Sequence, residues 1–140
     1  MKDKVIGYAT GVFDLFHIGH LNILKKAKEQ CDYLIVGVTV DELVAYKNAE
    51  AVIPFAERME IVKAVKYVDE VVPQHSMDKE AAWHTLKFHK MFVGSDWKGT
   101  EKWNKLEEQL RPVGVEIVYF SYTEGTSSTK LRQTLERIRT

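Results

Sequence analysis

Residues 5–40 read VIGYATGVFDLFHIGHLNILKKAKEQCDYLIVGVTV, and the alternation inside this stretch decides the fold. Its ends are two short apolar runs, Val5–Thr10 and Tyr33–Val40. The second (YLIVGVTV) is apolar on both faces and rich in β-branched residues, the pattern of a strand covered on both sides. Between them, His17–Gln30 places Leu21, Leu24 and Ala27 on one helical face and leaves Lys25, Lys26 and Lys28 elsewhere. Strand, helix, strand implies a right-handed crossover between parallel neighbours.

The same alternation runs outward to the C-terminus. Asp41 is an N-cap candidate for a short helix through Tyr46, and Pro54 fits the first turn of a helix with a Phe55, Met59, Val62 stripe. Val68–Val72 is the third strand. Asp78 caps a helix with Ala82 and Leu86 facing inward, and Met91–Val93 is the fourth strand. Thr100 caps a helix bearing Trp103, Leu106 and Leu110 that stops near Pro112 and Gly114. Val115–Phe120 is the fifth strand, and Ser127 or Ser128 opens a last helix with Leu131, Leu135 and Ile138 inside. The expected fold is α/β: a Rossmann-like five-stranded parallel sheet, order 3-2-1-4-5, with helices on both faces, in one domain over residues 1–140. Ligands of such sheets bind at the carboxyl ends of the strands, where the order reverses. Here that crevice lies between strands one and four, beside the residues that follow Thr10, Val40, Val93 and Phe120.

Composition narrows the partners. The chain has 140 residues and is 45% hydrophobic, enough for one core. Lys plus Arg and Asp plus Glu both total 20, so the net charge is zero, which argues against a nucleic-acid or polybasic membrane binder. Cys31 is the single cysteine and reads as a small buried hydrophobe, with no disulfide framework or redox pair. The start lacks a signal-peptide pattern, and no window approaches about 18 uninterrupted apolar residues, so a cytoplasmic location is expected.

The segment after the first strand carries the chemistry. Gly11-Val12-Phe13-Asp14-Leu15-Phe16-His17-Ile18-Gly19-His20 joins a strand end to a helix start. Gly11 lets backbone approach a ligand, and Gly19 allows a phosphate near the opening turn, where unpaired N–H groups and the helix dipole favour an anion. His17 and His20, three apart, can both aim at that anion: each imidazole donates a hydrogen bond, and protonation adds charge. A zinc reading fails on ligand count, since His75, His84 and His89 lie in other segments. Asp14 either orients the loop, binds a metal through water, or accepts from nearby backbone N–H groups. Further on, Tyr122-Thr123-Glu124-Gly125-Thr126-Ser127-Ser128-Thr129 puts three hydroxyl residues in succession after a glycine at a helix start, a phosphate cradle or, more simply, a helix cap. Gly94-Ser95-Asp96-Trp97-Lys98-Gly99 follows strand four: Asp96 can accept from an exocyclic amine, and Trp97 is either an apolar wall or ordinary packing.

GVFDLFHIGH resembles the HxGH motif of the nucleotidyltransferase superfamily related to class I aminoacyl-tRNA synthetases. The lysine segment, GSDWKG and YTEGTSST narrow the resemblance to the small cytidylyltransferases, above all those acting on glycerol 3-phosphate, over almost the whole chain. A synthetase is disfavoured, because there is no room for a tRNA-binding domain and no KMSKS-like loop; the KMFVGS stretch belongs to strand four. The resemblance implies that His17, His20 and Lys47 are catalytic. It implies that Gly11, Val12, Phe13, Gly19, Gly94, Asp96, Trp97 and residues Tyr122, Thr123, Glu124, Gly125, Thr126, Ser127, Ser128 and Thr129 surround CTP. Arg58, Lys66, Lys79 and again Lys47 would meet the acceptor. Tyr122 stands where the family usually has arginine, and Ala49 where it often has a second lysine. Ser127-Ser128-Thr129 followed by Arg132 also resembles a pattern of related adenylyltransferases.

The implied reaction transfers CMP from CTP to a small phosphomonoester, sn-glycerol 3-phosphate first, giving CDP-glycerol and pyrophosphate, with Mg²⁺ on the triphosphate. CDP-glycerol would serve teichoic acid or capsule synthesis, and a homodimer is implied. Three alternatives stay open: another phosphoalcohol such as phosphocholine or phosphoethanolamine, an adenylyltransferase, and a nucleotide-binding regulatory subunit.

Overall fold

β1 (Ile6–Gly11) runs through the middle of a five-stranded parallel sheet and pairs with β2 (Tyr33–Thr39) on one side and β4 (Lys90–Gly94) on the other. β3 (Glu70–Gln74) and β5 (Glu116–Phe120) are the edges, so the order is 3-2-1-4-5, as expected. The structure is a computed structural model that describes residues 4–46, 50–121 and 128–139, with residues 46, 96, 128, 129 and 139 described by backbone alone.

Side-chain alternation along the strands divides the core into two. Ala9, Val36 and Phe92 face one side with Leu24 of α1 (Ile18–Glu29) and Val62 of α3 (Phe55–Lys63). Tyr8, Ile35 and Met91 face the other, against Phe88 and against Trp103 and Leu110 of α5 (Glu101–Leu110). Burial of each large apolar side chain stabilises the fold by roughly 1.5–3 kcal/mol, so a sheet filled on both faces gains twice per strand. Gly37 is required by this packing: a Cβ there would stand 2.8 Å from the Tyr8 hydroxyl oxygen.

The helix caps are as expected at two places. Asp78 accepts from Ala81 N–H at the start of α4 (Lys79–Leu86), and Thr100 accepts from Trp103 N–H at the start of α5. Pro54 stands one position before its expected place, as the N-cap residue of α3. Asp41 does not cap α2 (Asp41–Tyr46) from outside. It lies within the first turn, and its carboxylate reaches across to Phe55 N–H and Arg58. The third strand begins and ends two residues later than Val68–Val72, which brings Gln74 to its carboxyl end; Pro73 is tolerated because the strand is an edge. α6 (Ser128–Arg139) also departs from expectation, with Leu135 44% and Ile138 75% exposed rather than inside. Among the described residues no helix is long and apolar enough to cross a membrane.

Candidate active site

His17 is the N-cap residue of α1, with extended backbone, and its Nδ1 accepts from Gly19 N–H at 3.0 Å. His20 returns the contact: its Nδ1 accepts from His17 N–H at 3.3 Å. The two rings stack with centroids 4.0 Å apart and 26° between planes. A nitrogen that accepts from backbone carries no proton, so each neutral ring holds its hydrogen on Nε2. The helix start therefore carries two imidazole N–H donors. The expectation of unpaired backbone donors there is corrected for Gly19, whose N–H is taken by the His17 ring.

The histidines are kept neutral. Burial lowers His17, and burial followed by the neighbouring His17 lowers His20 to about 4, against a smaller opposing pull from Asp14. Phe13 meets the His20 ring edge-on at 5.4 Å, and Phe16 lies 5.3 Å from it. This aromatic wall requires an unusual loop, with Phe13 at φ 54° and Leu15 at φ 50°, in the left-handed region that bulky residues avoid. Gly11 serves the same loop, since a Cβ there would stand 3.0 Å from the Phe13 ring.

Two buried charges hold the loop in place. The Asp14 carboxylate, 1% exposed, accepts from Val52 N–H at 2.8 Å and Ile53 N–H at 2.9 Å and pairs with Arg132 of α6 at 2.7 Å. Burial works against its ionisation, but the Arg132 hydrogen bond and the two backbone donors together hold it below the ordinary carboxylate range. This resolves the open reading of Asp14 toward backbone anchoring, though through residues distant in sequence. Arg58 is fully buried and donates to the carbonyls of Ile53, Val12 and Thr39 and to the Asp41 carboxylate. Its expected place among the acceptor contacts is corrected: a guanidinium this enclosed serves the ends of β1 and β2 and the entry to α3. Lys66 is corrected too. It precedes β3, at the amino ends of the strands, and its ammonium lies over the Tyr67 ring at 5.2 Å.

On the other side of β1 lies a cavity of about 380 Å³. Thr10, Gly11 and Val12 form the β1 side, Thr39 and Gln74 the ends of β2 and β3, and Trp97 with Trp103 an aromatic wall. Lys79, expected among the acceptor contacts, does reach it: nearly buried, it brings Nζ to 3.4 Å from Thr10 Oγ1. Trp97 is half exposed, in a single 3-10 turn (Ser95–Trp97) after Gly94, with its ring 6.3 Å from that of Trp103. Lys47, Tyr122, Thr123, Glu124, Gly125, Thr126 and Ser127 lie outside the described residues, as do the side chains of Asp96, Ser128 and Thr129. Thr39, Gln74 and Met77 also line the cavity and carry no motif in the sequence; a third strand expected to end at Val72 leaves position 74 outside the row of carboxyl ends.

A histidine pair capping the helix that follows the central strand, on a sheet of this order with a lysine-bearing cavity beside it, is the arrangement the resemblance to nucleotidyltransferases leads one to expect. The chain belongs to the cytidylyltransferase-like family, whose sequence profile matches residues 8–134. It is 36% identical over 133 residues to the glycerol-3-phosphate cytidylyltransferase of Bacillus subtilis (strain 168), covering 93% of this chain and 95% of that one. It is 33% identical over 130 residues to the FAD synthase of Archaeoglobus fulgidus, covering 93% and 94%. In fold it is similar to the lipopolysaccharide core biosynthesis protein from Thermoplasma volcanium GSS1, with a TM-score of 0.73 at 24% identity, covering 89% of this chain and all of that one.

Proposed function

We propose that this enzyme transfers CMP from CTP to a small phosphomonoester, sn-glycerol 3-phosphate first among them. The observation that carries the reading is the reciprocal cap of His17 and His20, which leaves each neutral ring an Nε2–H donor at the start of α1, the helix that follows β1. An acceptor phosphate oxygen attacks the α-phosphorus and forms a new P–O bond. The bond from the α-phosphorus to the α–β bridging oxygen breaks, and its electron pair leaves with pyrophosphate. No proton has to be removed from the acceptor, because a phosphate dianion is already nucleophilic. The protein's task is positioning and charge stabilisation. The imidazoles donate to the oxygens that gain charge, Lys79 holds the acceptor phosphate near Thr10, and Lys47 is the proposed cation on the triphosphate.

Mg²⁺ belongs to the proposal as a companion of the triphosphate, whose hard oxygens it prefers. The protein's own donor set does not fit a cage for it. Among the described residues no three carboxylate, imidazole or thiolate groups converge, and Asp14 is committed to Val52, Ile53 and Arg132. A homodimer and a cytoplasmic setting complete the reading; sedimentation at micromolar concentration tests the first.

The experiment that tests the reaction is pyrophosphate release with CTP and ATP against glycerol 3-phosphate, phosphocholine, phosphoethanolamine and flavin mononucleotide. Release with CTP and glycerol 3-phosphate is expected. Release only with ATP and the flavin would transfer the proposal to the activity named for the archaeal relative. Tight CTP binding without release under any acceptor would make the chain a sensor.

A further inference from the structure

The far end of the cavity holds a polar group with a fixed direction. Gln74, 5% exposed, lies in register with Thr39 across β2 and β3. Thr39, itself 1% exposed, donates its hydroxyl to Gln74 Oε1 at 2.6 Å. That contact sets the amide so that its Nε2 faces the Met77 sulfur at 3.8 Å. A thioether is a poor acceptor, so this enclosed amide stands to gain from a better one. Thr10, where Lys79 would hold the phosphate, lies on β1, two strands away from Gln74 and thus about 10 Å across the sheet.

Resting on the reading of this cavity as the acceptor site, we propose that Gln74 determines acceptor specificity: its Nε2 donates to a hydroxyl or carbonyl oxygen on the acceptor's carbon skeleton, at the end remote from the phosphate. The charges around it favour an oxygen over an ammonium group. Lys79, Lys102 and Lys105 all line the cavity. Asp78, the one carboxylate among its described lining residues, is committed to the Ala81 N–H. A polyol phosphate satisfies the amide, whereas an aminoalcohol phosphate sets a cation against a donor and three lysines.

The test measures kcat/KM in the purified full chain for glycerol 3-phosphate, phosphoethanolamine and propyl phosphate, which lacks the distal oxygen. Gln74→Leu is expected to lose roughly tenfold to a hundredfold with glycerol 3-phosphate while propyl phosphate and the KM for CTP stay unchanged. Gln74→Glu keeps an acceptor for Thr39 and replaces the donor with a carboxylate, so the ratio of phosphoethanolamine to glycerol 3-phosphate should rise at least about tenfold. Such a gain cannot come from misfolding. Equal losses on all three acceptors, an unchanged ratio in Gln74→Glu, or a wild type that prefers phosphoethanolamine would overturn the role of Gln74. A wild type inert with every acceptor and both nucleotides overturns the underlying reaction and this inference with it.

Discussion

The α1 side of the crevice carries His17 and His20, three residues apart and capping one another. The α4–α5 side carries Thr10, Thr39, Gln74, Lys79 and Trp103 around the cavity, supplied by five separate elements. The first arrangement is a property of a helix terminus: once α1 forms, the ring tautomers follow from backbone geometry. The second exists only when the whole sheet is in register. The difference teaches which half tolerates local error. A fault in packing displaces the cavity first, whereas the histidine pair fails only when its own helix start or the Phe13–Phe16 loop is disturbed.

Arg58 joins the halves, because its Nη1 holds the carbonyls of Val12, beside the histidine loop, and Thr39, at the cavity floor. Arg58→Met leaves those acceptors and the Asp41 carboxylate without their donor. We expect a loss of about 3–5 kcal/mol in urea unfolding, the largest effect anticipated. A loss under about 1 kcal/mol would mean the two sides are held together by packing alone. Next in size is His20→Ala. Removing one well-aimed donor should lower turnover about 10²–10³-fold, or roughly 2.7–4 kcal/mol, with acceptor KM little changed. Pyrophosphate release within threefold of wild type from the folded variant would remove the histidine side from catalysis.

The same contrast explains what was legible in the sequence. The apolar runs and caps mark the strands and helices because each is a local pattern, and the right-handed crossover rule turns that alternation into a parallel sheet. His17 and His20 were legible for the same reason. Arg58 and Lys66 were not, since an arginine in a polar helix position and a lysine in a loop look alike whether they meet solvent, carbonyls or substrate. Only the folded structure separates them: Arg58 of α3 reaches the carbonyls of Val12 and Thr39, whereas Lys66 stands before β3. Gln74 was missed through a two-residue shift in the third strand, which hid its place in the row of carboxyl ends. The outward Leu135 and Ile138 show the limit of periodicity: it finds an apolar stripe and says nothing of what lies opposite.

Acidity sharpens the comparison, because the enclosed histidines lie on one side only. His20 is lowered from 6.5 to about 4 in the folded chain, so between those values the unfolded chain binds the extra proton. Stability is therefore fully present above about pH 6.5 and is lost as pH falls toward 4, with a slope of up to about 1.4 kcal/mol per pH unit. Depression of His17 adds in the same sense. His20→Asn should flatten the urea midpoint between pH 7 and pH 5 relative to wild type. An equally steep midpoint in the variant would place the acid sensitivity elsewhere.

The smallest expected effect isolates the cavity side. Lys79→Met keeps the buried stem but removes the ammonium that stands 3.4 Å from Thr10 Oγ1. The stem's packing is retained, and the acceptor phosphate should lose a charged partner. An increase in acceptor KM of about tenfold is expected, which corresponds to about 1.4 kcal/mol, with the KM for CTP within twofold. If instead the two constants rise together, Lys79 serves donor and acceptor alike, and the crevice is one electrostatic site rather than two sides built on different scales.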